Sequence, residues 1–569
     1  MKRNAGRLVA AGLLAMAAGA FADGDARGVL SFSVVSNVGV GRSVFVVGNQ
    51  RDLGNWAPVD AVKLRYTAGD VWTGQVAVVA GAAVEFKFIS RNDTSNEYCN
   101  AANVQWSAGA NLTTSTPPLG AAYYGGKTVF YYSGWTQVFL LASTDGVAFT
   151  DHALAQVSTG RFAGEFLYRG DGIGSAGGSL EFVLHNGAGS YDKAPYGGYG
   201  DSNYFTRLDA FVLQGGGIFN YWPAPSISPP QIVNAHVFST VNGVTGRGCR
   251  IYLPRGYAEH TGRRYPVLYL QDGTNVFDPG SANGSWSADA TATREISQGR
   301  LRETILVALD NIPDYRRSEY NPPTDTYVGQ PAGTADKFLR YLFDNVRPTV
   351  DVNYRTLTNR ANTLVGGSSM GGIFSIYAAH ETNVFGGVLA MSPALTRAPN
   401  YTAALWSRAR LPVRIYLDTG SAEGQVGLTP GGDYWGAPWE GYNIFLAQGY
   451  AVNEDLLMRI GCGHQHNEAA WSARLPGALS FLLDVRDEPS PLLAAVHPPP
   501  LAGSPTGVLT VPTLRRHAYR LETASSLVGP AWIAVSTSAV ETLPWGETAL
   551  TSPPPAAAVV MRVAAESRP

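Results

Sequence analysis

The sequence predicts a multidomain chain: two N-terminal β-sandwiches, a central α/β domain and a small C-terminal β module. Three observations carry this reading. The 569 residues are nearly four times the ~150-residue prior for one domain, which excludes a single core. Three Pro-rich stretches punctuate the chain, from Ser115 to Gly120, from Pro223 to Pro230 and from Pro489 to Pro505. Between them the hydrophobic period changes, with alternating runs before Pro223, strand–helix alternation from Gln231 to Val485, and short alternating runs after Pro505.

Composition narrows the function classes. Lys+Arg 42 against Asp+Glu 44 gives a net charge of −2, which supplies no pull on phosphate backbones or anionic lipid, so nucleic acid is not an expected partner. Only 15% of residues are charged while 11% are aromatic, a balance suited to β-modules that present rings to neutral sugars. Met1-Lys2-Arg3 and Arg7 precede the apolar run Leu8 to Ala20, and Ala20-Phe21-Ala22 is an A-x-A site. Residues 1–22 therefore read as a secretory signal, too short to stay as a membrane span, and the expected location is extracellular or periplasmic with no span after cleavage. Cys99, Cys249 and Cys462 are odd in number and scattered, so at most one disulfide is expected.

Residues 28–116 form the first module. Its runs Ser43 to Val47 and Val84 to Ile89 alternate as antiparallel strands. Val47-Gly48-Asn49, Leu53-Gly54-Asn55-Trp56, Glu85-Phe86-Lys87-Phe88 and Val104-Gln105-Trp106 through Asn111 follow in order. This set resembles carbohydrate-binding module family 20, the starch-binding domain. The resemblance implies a platform of Trp56 and Trp106 stacking on glucose, with Lys87 and Asn111 on the hydroxyls. It departs from the family at Ser107 and Leu112, where Glu and Arg are usual, and Tyr66 is the candidate for a second sugar site. Residues 126–222 carry Thr128 to Trp135, Leu180 to Asn186, Ser190-Tyr191-Asp192 and Asn203-Tyr204. They look like carbohydrate-binding module family 25, which implies stacking by Phe149 and Tyr191, while the family's ligand His falls near Leu140. Independence of the first module across its Pro-rich linker is expected.

Residues 231–486 hold the chemistry. Gly367-Ser368-Ser369-Met370-Gly371 fits G-x-S-x-G, a string that 65 glycines make weak alone. Its context is stronger: Thr363 to Gly366 reads as a buried strand end and Gly372 to Ala379 as a helix. Such a strand–turn–helix strains the serine and lifts its Oγ above the sheet, so Ser369 is the candidate nucleophile. A serine needs an imidazole and a carboxylate that sets the imidazole tautomer. Downstream, Val413 to Leu417 ends in Asp418-Thr419-Gly420-Ser421-Ala422-Glu423, and Gly463-His464-Gln465-His466-Asn467-Glu468 precedes a helix.

With Arg250 to Pro254, Tyr265 through Gly273, Asp310-Asn311, and Arg316 with Glu319-Tyr320, these motifs make Val233 to Leu483 resemble the esterase D and feruloyl esterase-like family of α/β-hydrolases. The resemblance implies Glu423 as the acid, with Asp418 the alternative, and His466 rather than His464 as the base. Backbone N–H groups of Met370 and of Thr274, in the turn Asp272-Gly273-Thr274-Asn275, would form the oxyanion hole. A metal site at His464, His466 and Glu468 is not expected, nor is any cofactor. His380 is read as salt-bridging beside Glu381, and Arg316 with Glu319 as an ion pair bracing a loop. Residues 507–565 read as the small β module.

The leading expectation is a secreted serine esterase acting on an ester substrate while its modules hold starch or another α-glucan. A non-catalytic glucan-binding protein with a vestigial hydrolase domain is one alternative. An acyltransferase to a sugar hydroxyl is the other.

Overall fold

The computed structural model describes residues 9–10, 14–20, 26–79, 83–94, 97–115, 126–174, 178–195, 203–326, 331–423, 434–488, 492, 508–514, 517–524, 533–537, 545–551 and 560–567. Most of the first and third Pro-rich stretches lies outside the described residues.

Eight strands build the central sheet: β1 (Gln231–Val237), β2 (Gly248–Leu253), β3 (Val267–Leu270), β4 (Ile305–Leu309), β5 (Thr363–Ser368), β6 (Gly387–Met391), β7 (Arg414–Gly420) and β8 (Leu456–Gly461). Their spatial order is β1-β2-β4-β3-β5-β6-β7-β8. The β1/β2 and β2/β4 pairs are antiparallel and the others parallel. Parallel strands are covered on both faces, so their residues are continuously apolar. Val267, Tyr269, Ile305, Val307 and Val365 enter one core layer, and Leu268, Leu270, Leu306, Ala308 and Leu364 the other. All parallel strands end at one edge of the sheet. The segments after β3, β5, β6, β7 and β8 therefore converge there, at the carboxyl ends where open α/β sheets place ligands.

Before this domain lie two pairs of sheets, antiparallel except where Lys127–Ser133 runs parallel to Ala210–Gln214. In the first module, Ala26–Val35, Val71–Val79 and Arg65–Thr67 face Arg42–Gly48, Ala83–Asn92, Val62–Lys63, Val104–Trp106 and Leu112–Ser115. Their inner faces meet at Phe32, whose ring lies 5.1 Å from Phe86 and 6.3 Å from Phe88. In residues 127–219 a ladder Thr150–Ala153, Phe139–Ser143, Leu180–His185, Tyr191–Asp192 lies against a second sheet built around Lys127–Ser133. Tyr131 and Tyr204 are buried between them, each donating its hydroxyl to Asp192 at 2.8 Å. Leu140 is fully buried. Near the end of the chain, Val508–Leu514 pairs with Trp545–Thr551, and His517–Ala524 with both Ile533–Thr537 and Val560–Ser567. Among the described residues no helix is long and apolar enough to cross a membrane.

The first module does not hang free on its linker, which corrects the expected independence. Cys99 is disulfide-bonded to Cys462, just past β8, and Cys249 stays a buried thiol. Tyr98, beside the disulfide, is 2% exposed and packs against Trp435 and Trp439 at 5.4 and 5.7 Å. Burial pushes its hydroxyl up to about 12. Trp435 donates to the Asp93 carbonyl at 2.9 Å, Tyr442 to that of Lys63 at 3.1 Å and Asn453 to that of Asp52 at 3.2 Å. Val452 exchanges two backbone hydrogen bonds with the first module, at 3.1 Å from Ala77 and 3.0 Å to Gln75. The apolar cores of the two domains are continuous across this seam.

Cys99→Ser with Cys462→Ser is expected to lower stability by about 2–4 kcal/mol through the freed unfolded chain. Denaturant unfolding checks it. An unchanged midpoint would mean that the aromatic seam alone holds the docking.

Candidate active site

Ser369 caps the helix α1 (Met370–Glu381) at φ 55° and ψ −117°, a conformation that costs of order 1–3 kcal/mol and has to be held by its surroundings. Its N–H donates to Met391 at 2.9 Å and its carbonyl accepts from Ala394 at 3.1 Å, so β6 and its following turn grip the elbow. A Cβ on Gly367 would lie 2.7 Å from the Gly371 backbone. Glycine is thus required by the closeness of the turn. The serine side chain is half-buried, and its hydroxyl makes no hydrogen bond among the described residues.

Glu423 and His466 meet directly, Oε2 lying 2.9 Å from the ring Nδ1. The other glutamate oxygen, Oε1, accepts from Ser392 Oγ at 2.7 Å, from the Gly420 N–H at 2.8 Å and from Arg474 at 3.2 Å. Glu423 is wholly buried, so these donors replace its lost hydration. Asp418 is equally buried but turned to other work. Its oxygens take Arg474 Nε at 2.9 Å, the Ser392 N–H at 2.8 Å and the Tyr416 hydroxyl at 3.2 Å. No hydrogen bond or ion pair joins Asp418 to His466 among the described residues. Beside Asp418, the Tyr416 hydroxyl is raised well above its ordinary value, first by burial and then by that carboxylate.

The imidazole of His466 is held on two sides. Tyr434 stacks on it at 4.0 Å between centroids, and Trp471 meets it edge-on at 5.0 Å while donating to Ser392 Oγ at 3.0 Å. His464 instead receives Arg474 at 3.3 Å, and burial followed by that guanidinium lowers its pKa. No cluster of three potential metal ligands occurs among the described residues.

Thr274 sits in a one-turn 3-10 helix, Gly273–Asn275, behind Asp272, itself left-handed at φ 59°. Arg316 clamps Asp272 with two bonds of 2.7 and 2.8 Å, and Asn311 adds a third at 2.5 Å. Asn275 donates to Glu468 at 2.8 Å, which ties this turn to the helix α2 (Glu468–Leu482) behind His466. A Cβ on Gly371 would stand 3.3 Å from Gln271, so the turn abuts the elbow. The N–H groups of Met370 and Thr274 have no acceptor among the described residues. The expected Arg316–Glu319 pair is not formed, because Glu319 turns inward to Arg247 at 2.6 Å. Nor does His380 pair with Glu381: the ring lies against Phe445 at 6.3 Å, and Glu381 takes Arg408 at 2.7 Å.

Sequence reasoning missed Ser392, Tyr434 and Arg474. Arg474 had a usable signal, since it stands three residues after Trp471 on one face of α2. Ser392 and Tyr434 reach the site only by tertiary folding.

On the first module, Trp106 is the strand partner of Ile89 and is 46% exposed. Residues alternate across a strand, so Glu85, Lys87 and Ile89 share a face, and Trp106 with them. Asn111 donates to Glu85 at 3.4 Å, which puts it on the same face. Trp56 is half-buried and packs against the core. Tyr66 is 51% exposed. In the next module Phe149 and Tyr191 do not come together. Tyr191 and the strand that follows Phe149 are the opposite edges of a four-strand ladder, three spacings of about 4.8 Å apart. The neighbours of Tyr191 are instead His185 at 5.5 Å and, beyond it, Phe139, stacked on His185 at 5.3 Å.

Strand order, the strained serine after β5, and the paired acid and histidine after β7 and β8 define the class of the central domain as an α/β-hydrolase. Residues 245–482 match the family described as "Putative esterase", and residues 29–123 the one described as "Starch binding domain". The chain thus contains an esterase-family domain and a starch-binding domain. It is 41% identical over 90 residues to an α-amylase of Streptomyces violaceus, covering 16% of this chain and 15% of that protein. To an endo-1,4-beta-xylanase/feruloyl esterase of Xylanibacter ruminicola it is 31% identical over 131 residues, covering 22% and 16%. Among solved structures, a ferulic acid esterase of Anaeromyces mucronatus matches 45% of this chain and 90% of its own at 21% identity and a TM-score of 0.34. The enterobactin esterase of Shigella flexneri matches 83% and 96% at 15% identity and a TM-score of 0.35.

Proposed function

We propose that the protein is a secreted serine esterase that cleaves a carboxylic ester while held on starch or a related α-glucan. The observation that carries the reading is the 2.9 Å Glu423–His466 contact at the same sheet edge as a serine held in a strained elbow. In this mechanism His466 Nε2 takes the Ser369 proton as Oγ bonds to the acyl carbon. Glu423 keeps the other ring proton on Nδ1 and balances the imidazolium. The Met370 and Thr274 N–H groups receive the oxyanion. His466 then protonates the departing alcohol oxygen, and a water activated by the same ring releases the carboxylic acid. The Glu423–His466 contact and the two rings that position the imidazole favour catalysis over a vestigial domain.

Hydrolysis of a p-nitrophenyl ester, with and without a malto-oligosaccharide, tests this reading. A burst followed by steady release of the acid supports it. Accumulation of a sugar ester would make the protein an acyltransferase, and no turnover would make the domain vestigial.

Glucan binding is assigned to the face carrying Trp106, Lys87 and Asn111, with Trp56 at its turn. Trp106→Ala is expected to weaken retention on insoluble starch about 3- to 10-fold, the worth of one stacked ring, as read from a depletion isotherm. Undiminished retention would transfer the binding to the second module, where Tyr191 lies in the row with His185 and Phe139.

A further inference from the structure

Two anchors of the starch-binding domain land on residues close to His466. Cys462, bonded to Cys99, precedes that histidine by a short turn in which the Gly463 N–H is held by Ser421 at 2.8 Å. Trp435, which donates to the Asp93 carbonyl, adjoins Tyr434, and the Tyr434 ring lies on the imidazole. Asp93 follows the strand Ala83–Asn92, and that strand also carries Lys87 and pairs with Trp106. From Ile89, opposite Trp106, to Asp93 is four residues, or about 13 Å. One short run of backbone thus joins the sugar platform to the residues that clamp the catalytic base. A disulfide and a buried aromatic seam hold it in a single arrangement.

We infer that the ester cleaved at Ser369 is carried by the α-glucan chain that this domain binds, so that the glucan is the substrate and not only the anchor. The inference rests on the esterase reading above. A module on a flexible linker raises the local concentration of any polymer lying near the one it binds. A docked module cannot search in this way. It holds its glucan at one distance and direction from the active site, so the substituents of that chain are what it presents repeatedly to the serine. In the step itself, Ser369 Oγ bonds to the acyl carbon and the bond from that carbon to the glucose oxygen breaks. The sugar hydroxyl leaves with the proton held by His466, and water then releases the carboxylic acid from the serine.

The test uses the full chain and an acyl group that it removes from an aryl ester. That acyl group is placed on malto-oligosaccharides of increasing length and, in parallel, on cello-oligosaccharides of the same lengths. The expected result is a kcat/KM that rises about 10-fold or more along the malto series, stays level along the cello series, and loses its rise in Trp106→Ala. A level malto series, or an equal rise in both, overturns the inference. Aryl-ester hydrolysis and starch retention are measured on the same sample. If both are intact and the malto series is level, only this inference fails, whereas missing aryl-ester hydrolysis removes the esterase reading beneath it.

Discussion

Ser369→Ala is expected to lower kcat for a soluble aryl ester by about 10⁴- to 10⁶-fold and to abolish the burst. The loss is this large because the substitution removes the covalent route rather than one stabilising contact. What remains is the positioning of the ester and the two N–H donors at Met370 and Thr274, which still favour attack by water. Fold and starch retention are expected to persist. Alanine can occupy the elbow at no greater strain than serine, whose hydroxyl makes no hydrogen bond among the described residues, and the starch-binding domain is built from other sheets. Stopped-flow kinetics and thermal unfolding check the two halves. A variant that keeps most of its turnover would place the nucleophile elsewhere.

The second large effect separates two buried carboxylates. Glu423→Gln is expected to lower kcat about 10⁴-fold with little change in KM, because an amide facing Nδ1 can present its N–H₂ and favour the wrong tautomer. Asp418→Asn acts differently. Asp418 carries two of the bonds to Arg474, and removing its charge leaves that guanidinium, 5% exposed, with Glu423 alone among the described residues to balance it. The expected cost is about 3–5 kcal/mol of stability, with a smaller loss of turnover. Denaturant unfolding beside steady-state kinetics reads both. The reverse ranking in kcat would make Asp418 the acid.

Much of the fold was legible because it is written in local periodicity. The elbow could be read from glycines flanking a serine between an apolar strand end and an apolar helix. The loops after β7 and β8 were visible as strand ends followed by Asp-x-Gly and by His-Asn-Glu. The starch-binding domain was legible as an ordered set of aromatic motifs. Side-chain pairings were read less well. Arg316 and Glu319 lie one helical turn apart in sequence, yet each has a stronger partner elsewhere, Asp272 and Arg247. Phe149 and Tyr191 are both exposed rings, but strand order sets them at opposite edges.

By itself, then, the sequence determined that a starch-binding domain precedes an esterase domain, the strand–turn–helix around Ser369 and the loops that hold an acid and a histidine. Each depends on residues adjacent in the chain, whose backbone preferences and hydrophobic period act over one element. Only the tertiary structure decided that Glu423 rather than Asp418 faces His466, that Ser392 and Arg474 brace it, and that Cys99 joins Cys462 across a separation of 363 residues. Those outcomes depend on where the parallel strands end in space and which faces are desolvated together. Contacts between groups so far apart in sequence leave no periodicity from which they can be read.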